Sequence, residues 1–165
     1  MFPETNEISN ILSDTVMVLF KRRLVDRVLR LWKEMARGGQ FPRRDQIEPR
    51  MLGEDWANCL LIAVQSPVEL SHFVAVGENL ALALCPKDTL AGVLQSHLPR
   101  VLWARRCLTL EGGATLRGVP ILFRSALLPL SEDGVAFDHV LGAVNHRALR
   151  AGEELRTQLI RSLWV

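Results

Sequence analysis

One stretch, Ile121 to Asn145, limits the folds open to this chain more than any other. It reads as two apolar runs of strand length around a polar turn, Ser131-Glu132-Asp133-Gly134. That pattern predicts a β-hairpin, with Ile121–Leu130 paired to Val135–Val144 and Gly134 taking the left-handed conformation that its neighbours resist. In the first run Ile121, Phe123 and Leu127 alternate with Leu122, Ala126, Leu128 and Leu130. A strand apolar on both faces must be covered on both faces. Pro129 cannot donate to a ladder, so a bulge or strand end is expected there.

The rest of the chain supplies the cover. From Ile8 to Met35 apolar residues recur at helical spacing, which predicts a long amphipathic N-terminal helix ended by Gly38-Gly39. Cys59–Val64 and Ser71–Val76 read as a first hairpin around Ser66-Pro67. Asn79–Leu84, Thr89–His97 and Arg100–Thr109 read as helices, Gly112-Gly113 as a turn, and Ala114–Arg117 as a third strand. Leu149, Leu155, Leu159 and Leu163 mark a C-terminal helix. The expected class is therefore α+β: a five-stranded antiparallel sheet with intervening helices, a long N-terminal helix and a C-terminal helix.

Composition narrows the function. At 165 residues, 48% hydrophobic and 23% charged, the chain can bury a single-domain core. No apolar run is long enough to span a bilayer, and Met1-Phe2-Pro3-Glu4 lacks the start of a signal peptide, so a cytoplasmic protein is expected. Cys59, Cys85 and Cys107 are scattered and show no CxxC, which argues against a disulfide framework or a structural zinc site. Between Lys21 and Arg50 ten basic residues face four acidic ones. Asp26 and Glu34 interrupt this run and no recognition helix follows it, so a solvated face is expected rather than a nucleic-acid site. No GxSxG, Walker A, GxGxxG or HExxH occurs, and no carboxylate pair suggests acid–base work.

Two blocks carry a family resemblance. Leu127-Leu128-Pro129-Leu130-Ser131-Glu132-Asp133-Gly134, followed by Asp138-His139-Val140-Leu141-Gly142, resembles the closing hairpin of a single-domain PAS-like family of alphaproteobacterial type. Leu31-Trp32-Lys33, Gly38-Gly39 and Phe41-Pro42-Arg43-Arg44-Asp45-Gln46-Ile47-Glu48-Pro49 form the second block. The resemblance implies a PAS-like domain over 38–147, flanked by a helical extension over 1–37 and a helix over 148–165. It also implies a sensory or regulatory module that works by protein–protein contact, with a small ligand as an option. An enzyme using the same cavity and a ligand-free adaptor are the alternatives.

In that family the sheet and the helices over it enclose the ligand site. Phe123, Trp103, His139 and Asp138 are the expected lining, with His139 or Asp138 orienting a ligand; the competing reading is a strand histidine satisfied by a nearby loop. Arg124 is expected to bind an anion, to snorkel from an edge, or to pair with an acidic side chain. The cofactor is unassigned: His97 and Cys85-Pro86 raise haem only weakly, and no cysteine sits in a flavin-photosensor motif. Leu12, Val16, Leu19 and Phe20 precede the matching region and form an apolar stripe, which predicts a homodimer interface with a regulatory protein as further partner.

Overall fold

The computed structural model describes residues 24–36, 38, 40–47, 49–81, 89–153 and 161–164. Within them lies one antiparallel sheet. Its strands are β1 (Cys59–Ala63), β2 (His72–Val76), β3 (Leu108–Leu116), β4 (Val119–Leu130), β5 (His139–Ala148) and β6 (Arg161–Trp164), in the order β2-β1-β5-β4-β3-β6. The helices are α1 over residues 24–35, α2 (Pro49–Leu52), α3 (Glu78–Ala81), α4 (Thr89–Ser96) and α5 (Leu98–Ala104). The chain is thus α+β, with five antiparallel strands in the predicted sequence order and a sixth on the β3 edge.

β4 shows why the sheet needs two covers. Its odd residues Ile121, Phe123 and Leu127 join a core with Leu80 of α3, Leu90 and Leu94 of α4, and Leu98 and Val101 of α5. Its even residues Ala126, Leu128 and Leu130 join a second core with Leu24, Val25 and Val28 of α1, together with Ile47 and Leu52. Side chains alternate across a strand, so a single apolar run feeds both layers. Each buried leucine contributes about 1.5–3 kcal/mol of transfer free energy. Helix α1 therefore lies across the sheet face opposite α3–α5. The part of the expected long helix before Leu24, including Leu12, Val16, Leu19 and Phe20, lies outside the described residues.

Four sequence expectations change. The β4–β5 connection runs from Ser131 to Asp138, because Leu130 pairs with His139 and Val135–Asp138 stay outside the ladder. Gly112-Gly113 is not a turn but the middle of β3, where Gly112 lies opposite Phe123. The turn instead uses Arg117 and Gly118, both at positive φ (53° and 73°), the two-residue geometry that matches strand twist. The helix expected over Arg100–Thr109 is Leu98–Ala104; Arg105 closes it in the left-handed region, which frees Leu108 and Thr109 to start β3. The C-terminal helix is overturned at Arg161–Trp164, which pairs with Leu108–Glu111 as β6. The β3 edge offers unpaired backbone groups, and ladder bonds there outweigh the leucine periodicity of the tail.

Pro129 is the second-last residue of β4, at the strand end expected there, and no bulge interrupts its register with β5. It pairs with Val140 of β5, but β3 pairing begins at Leu127, so nothing on that side needs a Pro129 N–H. The Pro129 carbonyl accepts a hydrogen bond from Trp32 Nε1 of α1 at 2.6 Å.

Candidate functional site

The two similar blocks, far apart in sequence, meet at one corner of the fold. Arg43 and Ser131 form a parallel bridge: Arg44 N donates to Ser131 O at 2.8 Å, and Ser131 N donates to Pro42 O at 3.0 Å. Pro42 and Pro129 help set this meeting, since each fixes an extended backbone beside a residue free to pair.

The β4–β5 loop is built on side-chain hydrogen bonds. Asp133 Oδ1 accepts from Ser131 Oγ (2.9 Å), Val135 N (2.8 Å) and Ala136 N (2.9 Å). The N–H groups of Ala136 and Val135, then the Ser131 hydroxyl, hold the Asp133 acid below its usual range. Gly134, at φ 86° as its position predicted, donates its N–H to Ser131 Oγ at 2.9 Å. The buried Ser131 hydroxyl thus gives its proton to Asp133 and accepts from Gly134, which removes it as a nucleophile.

Next to this loop runs a line of charged groups. Asp138 Oδ1 accepts from Glu132 N at 2.9 Å and lies 2.8 Å from His139 Nδ1. Glu132 Oε2 is 3.8 Å from the same ring nitrogen and 3.7 Å from Arg44 Nη1. The carboxylate of Asp138 is an acceptor, so the tautomer assigned to His139 carries its proton on Nδ1. The His139 side chain is 13% exposed. Beside it opens a cleft of about 510 Å³, floored by Leu61, Ala75 and Leu141, walled by Ile47 and Trp56, and rimmed by Arg44, Asp45 and Glu132. Such a site can hold polar and apolar contacts together.

The expected ligand residues do not converge. His139 and Asp138 come together as above, on the α1 side of the sheet. Phe123, 4% exposed, lies on the opposite face within the leucine-rich core under α3–α5. Arg124 points toward α1, with Nη2 3.6 Å from Asp26 Oδ1 and Nε 3.3 Å from Glu111 Oε1. The Nε contact is close enough for an ion pair, yet that nitrogen is buried without an aligned hydrogen bond; attraction without direction describes it best. The acidic-partner expectation for Arg124 is therefore the one observed. Trp103 leaves the pocket altogether: it is 88% exposed on α5.

Sequence reasoning missed Arg44, Glu132, Ser131 and Asp133 as site residues. Arg44 lies in one block and the other three in the second, but a charged turn reads as solvated until its partner segment is known. It also missed the buried atoms left without partners, Ser125 Oγ and Asn145 Nδ2. Ser125 lies in register between Leu110 and Val144, neither of which has a polar side chain to offer it. Asn145 lines a second cleft of about 720 Å³ with Asn58, Asn79 and the Arg27–Asp55 pair. Arg27 holds Asp55 through Nε (2.8 Å) and Nη2 (2.5 Å), which anchors part of the basic helix within the protein.

The two described cysteines are poorly placed for thiol chemistry. Cys59 and Cys107 are buried free thiols. Burial, with Asp55 nearby for Cys59, pushes both up to about 12. Cys85 lies outside the described residues.

Fold and site together define an α+β protein with one antiparallel sheet covered by helices on both faces and a hydrogen-bonded loop corner. Among the described residues no helix is long and apolar enough to cross a membrane. No protein-family model matches the sequence, no curated protein matches it, and no solved structure matches the fold.

Proposed function

We propose that this chain is a PAS-like sensory or regulatory module that acts through contact with other proteins, with a small ligand as an optional input. One observation carries the proposal. The antiparallel strands β1–β5 hold the helices α3–α5, inserted between β2 and β3, against a single face. That is the layout expected of the PAS-like family that the two blocks resemble. The contacts Trp32–Pro129 and Arg43–Ser131 support it further, because each joins a residue of one block to a residue of the other.

The packing around Phe123 favours the ligand-free version of this module, since leucines from β1, β3, β4, α3, α4 and α5 share its core. Native mass spectrometry of the purified protein, with an absorption spectrum, tests the choice. A retained small molecule supports a sensor, and an unliganded mass supports an adaptor. Turnover of a retained molecule would replace both with an enzyme.

The proposal includes a homodimer through Leu12, Val16, Leu19 and Phe20. Light scattering of the full chain against a Leu12→Asp, Leu19→Asp variant tests it. A full chain that is monomeric at micromolar concentration ends the dimer.

A further inference from the structure

Trp103 projects from a helix whose other face is fully used. Leu98 and Val101 of α5 are buried in the core, while the indole of Trp103 is 88% exposed. The same surface continues past the helix end. Arg105 and Arg106 are both exposed, and the Arg105 guanidinium lies 5.2 Å from the centre of the Phe41 ring. On the other side, Arg100 lies 5.5 Å from the ring of Trp164. Trp164 pairs with Leu108 and so stands on the face of the sheet that α3–α5 cover, itself 36% exposed. Two of the chain's four tryptophans therefore border one arginine-bearing surface.

The segment that carries this surface is one-sided in charge. From Thr89 to Leu110 the sequence holds no Asp or Glu. Among the described residues, the salt bridges engage Arg27, Arg43, Arg44, Arg124, Arg147 and His139, and leave Arg105 and Arg106 without a carboxylate. Guanidinium groups match carboxylates in shape as well as charge, and Trp with Arg is the composition of protein-interface hot spots. Polybasic membrane sites instead cluster roughly four to eight cations, more than this helix end provides.

We propose that the outer face of α5 docks an acidic segment of a partner protein, with an apolar partner side chain stacked on Trp103 and carboxylates paired to Arg105 and Arg106. This rests on the contact-module reading and adds the chemistry of the partner. A fluorescein-labelled peptide of alternating Glu and Leu, titrated against the full chain by anisotropy, tests it. Binding should weaken about tenfold in Trp103→Ala and again in Arg105→Ser, Arg106→Ser. It should disappear for the matching Gln–Leu peptide and stay unchanged in Arg30→Glu, an exposed site on α1. Equal binding to the wild type and Trp103→Ala overturns the proposal. So does Trp103-dependent binding to phosphatidylglycerol vesicles without peptide binding, which would make the surface a membrane contact. A dimer that Trp103→Ala dissociates also overturns it, since the occupant would then be a second copy. None of these failures touches the contact-module reading, which falls only to turnover of a retained small molecule.

Discussion

The indole nitrogen of Trp32 and the carbonyl oxygen of Pro129 are 2.6 Å apart, joining α1 to a strand residue that has no N–H to give a ladder. The bond fixes where the helix crosses the sheet, and it satisfies a carbonyl beyond the reach of β3. Trp32→Phe keeps the ring and removes the donor. It should destabilise the protein by about 1–3 kcal/mol in urea unfolding, the cost of leaving a part-buried acceptor unpaired. An unchanged midpoint would show that water replaces the indole.

Two glycines differ in what surrounds them. A Cβ on Gly77 would lie 2.1 Å from the Trp56 carbonyl oxygen and 2.5 Å from Ala57 backbone atoms. A Cβ on Gly142 would lie 2.6 Å from Leu60 Cδ1, the end of a side chain. Gly142→Ala should cost about 1–3 kcal/mol through overpacking. Gly77→Ala should cost more, because backbone must move and the Gly77 N–H bond to Cys59 O (2.7 Å) is strained with it. Thermal melts of the two variants check the order.

Cys59 and Cys107, with thiols pushed up to about 12, hold almost no thiolate near neutrality. In a Cys85→Ser background, neither should react with iodoacetamide at mildly alkaline pH until the protein is unfolded. Mass spectrometry of the native, treated protein reads this directly, and rapid native labelling would contradict the burial.

Acid should loosen the loops before the core. Asp133 is held below the usual carboxylate range by backbone N–H groups, and Glu153 is lowered to about 2, first by its hydrogen bond from Arg147. Both titrate lower folded than unfolded. Their contribution is therefore present above the unfolded values and is lost as pH falls through the folded ones. Stability should decline from about pH 4.5 toward about pH 2. Glu153→Gln and Asp133→Asn should each flatten that decline in urea titrations.

Strand existence was legible where periodicity and burial agreed. Cys59–Ala63, His72–Val76 and the two long strands announced themselves through apolar runs that only a covered sheet can absorb. Their ends were not legible. Val135–Phe137 look like strand residues, but Asp133 captures the N–H groups of Val135 and Ala136 before β5 can. Gly112-Gly113 look like a turn, yet the residue across from Gly112 is Phe123, and no local signal shows a partner strand. Arg117 takes a positive φ that its side chain does not advertise. The site failed for a related reason. Phe123 and His139 share a sheet but not a face, and alternation within each strand cannot say how two strands are registered. Trp103 is misplaced as lining because a sheet apolar on both faces calls for a covering helix without saying which side of that helix turns inward.

The place of β5 in the sheet has a temporal side. β1 pairs with β2 and β3 with β4, each through a short local connection, but the sheet joins the two pairs through β5. A ribosome thus releases two separate ribbons before it releases the strand that welds them. Until His139–Ala148 emerges, the apolar β1 and β4 each present an open edge to whatever strand is nearby. The nascent chain's exposure to wrong pairing is set by the delay between Leu130 and Ala148, which makes the compact, self-bonded β4–β5 loop a timing element as much as a corner.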